Sequence, residues 1–168
     1  RLTLTLFLIT TIVAGLLGLV NYVTADTIAE QIAQKAESAM RQVLEADGYE
    51  PLDVPEDSAV TAAYRAGDRG YVVRVAPNGF GGAIDMMVGV DVSGAVTGVA
   101  IVSQSETASL GANCTREDFR AQFTGKTGTL SVSKDGGEIE ALTGATVTSR
   151  AVTEGVNTAL EFVQEVLK

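Results

Sequence analysis

A cluster of small and hydroxyl-bearing residues near the C-terminus of the chain could bind a phosphate. Within 142–149 the hydroxyl-bearing residues are Thr143, Thr146, Thr148 and Ser149, and the small residues are Gly144 and Ala145. The apolar residues that follow recur at helical spacing, so a helix is expected to begin here. Free backbone N–H groups and the positive end of the helix dipole bind phosphate without a Lys or Arg. The alternative is that Thr148 or Ser149 only caps the helix.

The composition of the chain narrows the chemistry it can perform. Its formal charge is −9, from 12 Lys and Arg against 21 Asp and Glu, so no nucleic-acid partner is expected. The chain contains no His and one Cys, Cys114, which we expect to be a buried small side chain. Catalytic triads, His-ligated metals, intrachain disulfides and cysteine-ligated clusters are thereby excluded. We expect no catalytic residue and no metal site, so any redox cofactor must be organic.

The N-terminal segment 1–25 is predicted to be a membrane anchor. An uncharged run extends from Leu2 to Ala25, which is long enough as a helix to cross the hydrocarbon core of about 30 Å. A secretory signal peptide is the alternative, because residues 23–25 resemble a cleavage site, but typical apolar regions of signal peptides have only about 7–15 residues. Arg1 before the run and Asp26 and Glu30 after it favour a cytoplasmic N-terminus.

Residues 26–57 are predicted to form a helix and a linker between the anchor and a domain. Apolar residues recur at helical spacing at Ile28, Ile32, Ala36, Ala39, Met40 and Val43. We expect this amphipathic helix to end at Asp47-Gly48, and the acidic, proline-containing segment 50–57 to be an exposed linker.

Residues 58–168 are predicted to form a single α+β domain. Strands are expected at 71–75, 84–92, 95–102 and 128–132, with Ser93-Gly94 as a hairpin turn between the middle two. Thr115 with the acids after it resembles a capping box before a helix carrying Phe119 and Phe123. The last helix has an apolar stripe, at Val152, Val156, Leu160, Val163 and Leu167. The fold class is therefore a small, mostly antiparallel sheet with flanking helices, preceded by one transmembrane helix.

Several separated segments resemble one known family. Residues 140–146 are similar to the flavinylation motif Asp-x-x-(Ser/Thr)-Gly-Ala-Thr, with Glu140 in place of the Asp. That motif occurs in the FMN-binding domain of the Rnf and sodium-pumping NADH:quinone oxidoreductase complexes. Residues 78–82 and 121–126 resemble the Gly-Tyr-Gly-Gly and Gln-Phe-x-Gly-Lys stretches of the same family, with Phe80 in place of Tyr. The resemblance implies that Thr146 carries FMN through a phosphoester bond, installed by a flavin transferase that uses FAD.

The loop 105–111 resembles the family's Ser-Glu-Thr-Pro-Gly-Leu-Gly loop, with Ala108-Ser109 in place of Pro-Gly. In the family this loop lies near the FMN. By resemblance, Glu106 accepts from a flavin or ribityl donor, Thr107 bonds the ribityl chain or phosphate, and Leu110 covers a ring face. The full set of expected FMN-binding residues is Glu106, Thr107, Leu110, Gly111, Thr143, Gly144, Ala145 and Thr148.

The chain as a whole resembles the G subunit of an Rnf complex, the ion-translocating ferredoxin:NAD oxidoreductase. The resemblance implies a single-pass protein of the cell (inner) membrane whose domain lies on the extracytoplasmic side. Its covalent FMN would pass electrons between centres of neighbouring subunits, so its partners are the other membrane and redox subunits and, during maturation, the transferase. Two alternatives stay open: the C subunit of the sodium-pumping quinone oxidoreductase, and a membrane-anchored scaffold without flavin.

Overall fold

The computed structural model describes residues 2–55 and 58–167. Within these ranges the side chains of residues 26, 28, 29 and 32 are not described. The predictions made for Arg1, Glu56 and Asp57, and for the side chains of Asp26, Ile28 and Ile32, therefore lie outside the described residues. The chain divides into two compact units, residues 1–35 and 36–168.

The first unit is helical over its described residues, and its segment up to Ala25 is apolar. A single helix, α1, extends over Leu2–Val43. Its segment Leu2–Ala25 has a mean hydropathy of 2.3 and is unburied, so by length and composition it can cross a membrane. Large apolar side chains exposed along such a helix are stable in lipid, and they would be unfavourable in water.

The end of α1 belongs to the second unit, where Ala36, Ala39 and Val43 are buried against one face of the sheet. The helix ends four residues before the predicted end at Asp47. Two side-chain hydroxyls bond the carbonyl groups at the end of the helix. The Thr97 hydroxyl donates to the carbonyl of Val43, and the Tyr49 hydroxyl donates to that of the next residue, Leu44, each at 2.6 Å. These contacts replace the next helical hydrogen bonds and stop the helix.

The second unit is built on a five-stranded sheet, antiparallel throughout and in chain order. Its strands are β1 (Glu50–Leu52), β2 (Val60–Arg65), β3 (Gly70–Val75), β4 (Asp85–Asp91) and β5 (Val96–Ser103). The predicted α+β fold is thereby confirmed, and β4 and β5 form the predicted hairpin. Its loop covers 92–94 rather than the predicted Ser93-Gly94, because Asp91 N–H donates to the Ala95 carbonyl at 2.9 Å and Gly94 N–H donates to the Asp91 carbonyl at 3.0 Å. The linker prediction is wrong for 50–52, which form an edge strand, the position at which a proline such as Pro51 is tolerated.

The predicted strand 128–132 is absent. Gly128 has a φ of +70°, and Val132 makes only an isolated parallel bridge to Ile139. The segment is held instead by the Asn157 amide, which donates to the Leu130 carbonyl and accepts from its N–H, each at 2.8 Å. A side chain thus supplies the hydrogen bonds that a neighbouring strand would have given.

The helical elements after β5 are short, except for the last. They are 3₁₀ turns at Gly111–Thr115, Ala121–Phe123 and Ser133–Asp135, and the α-helices α2 (Glu117–Arg120) and α3 (Thr146–Val166). The predicted Thr115 cap is wrong: its hydroxyl donates back to the Ala112 carbonyl at 2.9 Å, and Arg116 occupies the cap position. The predicted stripe of α3 is buried against the other face of the sheet from Val152 to Val163, whereas Leu167 is exposed.

Candidate cofactor site

The first turn of α3 and the loop after β5 line one cavity of about 370 Å³. Its lining residues are Phe80, Glu106, Thr107, Leu110, Gly111, Gly144, Ala145, Thr146, Val147 and Thr148. Sequence reasoning named eight of these ten; Phe80 was named only as a motif position, and Val147 was missed. Thr143, which was predicted, is exposed and does not line the cavity. The volume lies in the range of roughly 300–1,000 Å³ that is usual for small-molecule sites.

Thr146 is the first residue of α3. Ala145 holds the cap position with φ −132° and ψ 48°, and among the described residues no side-chain hydrogen bond caps the helix start. Gly144, at φ +74°, makes the turn that leads into it. The Thr146 side chain is partly exposed, and its Oγ1 accepts a hydrogen bond from Lys134 Nζ at 2.8 Å. The first turn therefore presents uncapped N–H groups and one accessible hydroxyl at the same point.

The two hydroxyls that follow are buried and occupied. Ser149 Oγ accepts from the Leu142 N–H and donates to the Ala145 carbonyl, both at 2.9 Å, so it fastens the turn onto the helix. Thr148 Oγ1 donates to Glu106 Oε2. The expectation that Thr148 or Ser149 caps α3 is therefore wrong, since both hydroxyls make other contacts.

Glu106 joins three segments of the cavity wall. One carboxylate oxygen accepts from the Gly81 N–H at 2.7 Å and the other from Thr148. Burial raises the pKa of this carboxyl, but the hydrogen bonds from Thr148 and from the backbone of Gly81 and Phe80 outweigh it and lower the pKa below its ordinary value. Glu106 is therefore ionised at neutral pH, although only 8% of its surface is exposed.

Gly111 is required beside this carboxylate. A Cβ at Gly111 would lie 2.6 Å from both Glu106 Oε2 and Thr148 Oγ1. Such contacts are shorter than van der Waals contact, so a larger residue would separate the two groups. The glycine predicted to bind the cofactor thus has a clear packing role as well.

The glycine-rich turn 78–82 packs against the same loop. A Cβ at Gly81 would lie 2.1 Å from the Ser105 carbonyl oxygen, so the bare backbone lets the two segments meet. Between these glycines, Phe80 lines the cavity with 73% of its surface exposed. A large aromatic side chain left this exposed beside a cavity is available to a planar ligand.

The segment 121–126 is hydrogen-bonded to Glu140, the first residue of the motif 140–146. The Gln122 amide accepts from the Glu140 N–H at 2.7 Å and donates to the Glu140 carbonyl at 3.3 Å. Glu140 itself is exposed. Its backbone is thus fixed, whereas its side chain, in the place of the motif's Asp, is accessible to another protein.

Sequence reasoning missed Lys134. It lies on the 3₁₀ turn Ser133–Asp135, twelve residues before Thr146. Asp135 in the same turn binds Arg150 of α3 through two hydrogen bonds, of 2.7 and 2.6 Å, and so holds the turn beside the helix. No spacing rule links a residue in such a turn to the start of a later helix, so the sequence carried no signal for this contact.

Cys114 is fully buried near the site. Burial raises the pKa of its thiol to about 11. The thiol is therefore protonated at neutral pH and packs as a small apolar group, as predicted.

Comparison with known sequences matches both parts of the chain. The FMN-binding domain family matches residues 79–161, and the RnfG N-terminal region matches residues 1–43. The G subunit of the proton-translocating ferredoxin:NAD(+) oxidoreductase complex of Clostridium ljungdahlii is 38% identical, over 97% of this chain and 88% of that protein. The chain belongs to the Rnf G-subunit family. The G subunit of the Na(+)-translocating complex of Acetobacterium woodii is 33% identical, over 100% of this chain and 93% of that protein. The G subunit of the Vibrio vulnificus ion-translocating oxidoreductase complex is 35% identical over 96% and 87%.

A solved structure shows the same fold. The C subunit of the Na(+)-translocating NADH-quinone reductase of Parabacteroides distasonis superposes with a TM-score of 0.58, covering 80% of this chain and 83% of that one. Its sequence identity is 20%, so this likeness concerns the fold alone. The sequence relatives above place this chain with the G subunits rather than with the C subunits named as an alternative.

Proposed function

We propose that this chain is the membrane-anchored electron-transfer subunit of an ion-translocating ferredoxin:NAD(+) oxidoreductase complex, and that Thr146 carries FMN through a phosphoester bond. Its partners are then the other membrane and redox subunits of that complex. The relatives named for this activity support the assignment, as does the match of the FMN-binding domain to residues 79–161. Leu2–Ala25 serves as the anchor, with the domain on the extracytoplasmic side.

One observation supports Thr146 as the attachment site. Of the three hydroxyls in the first turn of α3, those of Thr148 and Ser149 are 1% and 0% exposed and bonded within the protein, whereas that of Thr146 is accessible. A phosphate bonded to Thr146 would meet the uncapped N–H groups of the helix and the positive end of its dipole. The residues present therefore fit a phosphate-linked cofactor.

A flavin transferase would install the cofactor from FAD. Thr146 Oγ1 would form a bond to the phosphorus of the FMN half, the pyrophosphate bond of FAD would break, AMP would leave, and the hydroxyl proton would pass to the transferase or to water. The exposed Glu140 side chain is available for recognition by that enzyme.

When bound, FMN supplies the redox chemistry, and the protein supplies position and electrostatics. Phe80 and Leu110, 73% and 41% exposed on the cavity wall, provide apolar surface for the ring system. Glu106 contributes a fixed negative charge to the wall. Because the tether is covalent, the cofactor would not be lost on the outer side of the membrane.

The test measures the mass of the chain produced together with its transferase. The parent should exceed its sequence mass by one FMN less one water, and the denatured band should fluoresce under ultraviolet light. Thr146→Ala should lose both signals, and Thr146→Ser should keep part of them because the hydroxyl is retained. Thr143→Ala is the matched control, since Thr143 is exposed in the same turn but does not line the cavity.

Flavin retained by Thr146→Ala, or mapped to Thr143 or Thr148, would contradict the attachment site. A parent without added mass would favour the remaining alternative, a membrane-anchored scaffold without flavin.

A further inference from the structure

Lys134 is a cation directed at a hydroxyl rather than at a carboxylate. Its Nζ lies 2.8 Å from Thr146 Oγ1. Neighbouring cations are paired with acids: Arg150 with Asp135, and Lys126 with Glu138. Within residues 2–55 and 58–167, no ion pair engages Lys134. Its positive charge is therefore not balanced by a side chain at the place where the proposed phosphate would be attached.

The position of Lys134 is fixed by the turn that carries it. Ser133 N–H donates to the Ile139 carbonyl at 2.7 Å, and Asp135 N–H donates to that of Val132 at 2.9 Å. The Asp135–Arg150 pair then fastens the turn to α3. Hydrogen bonds of the two neighbouring residues thus hold the backbone of Lys134, and its side chain is directed toward the start of α3.

A lysine–hydroxyl contact at the surface gains little by itself. Ordering a long lysine side chain costs conformational entropy, and this cost offsets most of what a single hydrogen bond contributes. Both groups here are accessible to water, which competes for the bond. The contact becomes favourable when an anion is attached to Thr146, since hydrogen bonds to ionised acceptors are roughly twice as strong.

We propose that Lys134 is the charge partner of the FMN phosphate on Thr146; this inference rests on the proposed function. Esterification converts Oγ1 into a bridging oxygen, and the single negative charge resides on the two non-bridging oxygens bonded to the same phosphorus. These oxygens lie two bonds from the atom that Lys134 already contacts. The ammonium donates to them from one side, and the N–H groups of α3 donate from the other.

The experiment is ³¹P NMR of the full chain, carrying FMN, in a phosphate-free detergent. Four proteins are compared: the parent, Lys134→Met, Lys134→Arg and Lys126→Met. Lys126 is the matched control, because its ammonium pairs with Glu138 and does not line the cavity. The reference is the resonance of the flavinyl peptide released by proteolysis, in which no folded contact remains.

In the parent the phosphorus resonance should be displaced from that of the peptide. Lys134→Met should lose more than half of the displacement, while Lys134→Arg and Lys126→Met should keep most of it. Raising the salt concentration should reduce the displacement in the parent, because the pair is accessible to solvent. This salt response decides the matter if Lys134→Met does not take up FMN.

Three results would overturn the proposal, and they distinguish a failure of the proposed function from a failure of the role of Lys134. A parent without FMN mass and without a phosphorus resonance overturns the proposed function and this inference with it. A parent resonance that is present but unchanged in Lys134→Met overturns the role of Lys134 alone. A parent resonance that does not respond to salt does the same.

Discussion

The hydroxyl of Thr148 donates to the carboxylate of Glu106, and this hydrogen bond joins residues 42 positions apart in the sequence. It ties the first turn of α3 to the loop after β5, and both segments line the cavity. Both residues are nearly fully buried, at 1% and 8% exposure. The geometry of the cavity therefore depends on a polar contact that water does not reach.

Thr148→Val should destabilise the protein. Valine keeps the shape of threonine but removes the donor, so one oxygen of the buried Glu106 carboxylate loses a protein partner. Such a loss costs about 1–3 kcal/mol in the free energy of unfolding, which chemical denaturation of the chain in detergent will measure. Thr158→Val is the matched control, since its hydroxyl donates to the Glu154 carbonyl of the same helix at an exposed position. Equal losses from both variants would contradict the importance of the buried contact.

Glu106 should make stability depend on pH in the acid range. The pKa of Glu106 is lower in the folded protein than in an unfolded chain, where glutamate titrates at about 4.3. The unfolded state therefore binds more protons below that value, so the stabilisation is complete above it and is lost as the pH falls through the folded pKa. Glu106→Gln should remove this component.

The measurement is the free energy of unfolding of the parent and of Glu106→Gln from pH 7 down to pH 3. The difference between them should narrow as the pH falls. Glu161→Gln, which removes an exposed carboxylate of α3, is the control. A parent–Gln difference that is constant over this range would show that Glu106 does not titrate as inferred.

The sequence was informative where local patterns act alone. The β-rich runs on either side of Ser93-Gly94 formed β4 and β5, which pair as the predicted hairpin although its loop covers 92–94. The eight predicted residues at the cavity came from two motifs that the fold brings together. The resemblance to the family, rather than a local pattern of the chain, identified these residues as one site.

The sequence was misleading where tertiary contacts replace local ones. Leu130 and Val132 alternate with polar residues as in a strand, but the Asn157 amide, 27 residues after Leu130, bonds the backbone of Leu130 instead. Thr148 and Ser149 have the residue types of caps, but Glu106 and Leu142 compete for their hydroxyls. Lys134 reaches Thr146 through a turn fastened by Arg150. Except for Leu142, which lies seven residues before Ser149, these partners are distant in sequence, so no short window around the residue contains them.

Leu110→Ala should change the flavin without preventing its attachment. Leu110 is 41% exposed on the cavity wall, so its truncation should cost little stability but should remove apolar surface next to the proposed ring site. The absorption spectrum and reduction potential of the bound FMN should shift, and electron transfer through the complex should slow, while the added mass stays the same. Leu167→Ala is the control, because Leu167 is 44% exposed near the end of α3.

If Leu110→Ala and Leu167→Ala both match the parent in spectrum, potential and turnover, the loop is only a surface connection. The same measurements on Glu106→Gln test whether the negative charge of Glu106 on the cavity wall affects the flavin. A fixed negative charge near the ring disfavours the anionic reduced flavin, so its removal should raise the reduction potential.

The domain should react with thiol reagents added outside intact cells. Because Cys114 is buried, a cysteine introduced at the surface can report this reaction. The parent's one cysteine is fully buried with a thiol pKa raised to about 11, so it should not react with a membrane-impermeant maleimide. A Thr127→Cys variant places a thiol at an exposed position of the second unit. Intact cells should label this variant and leave the parent unlabelled. Labelling that requires inverted membrane vesicles would place the domain in the cytoplasm and reverse the proposed orientation.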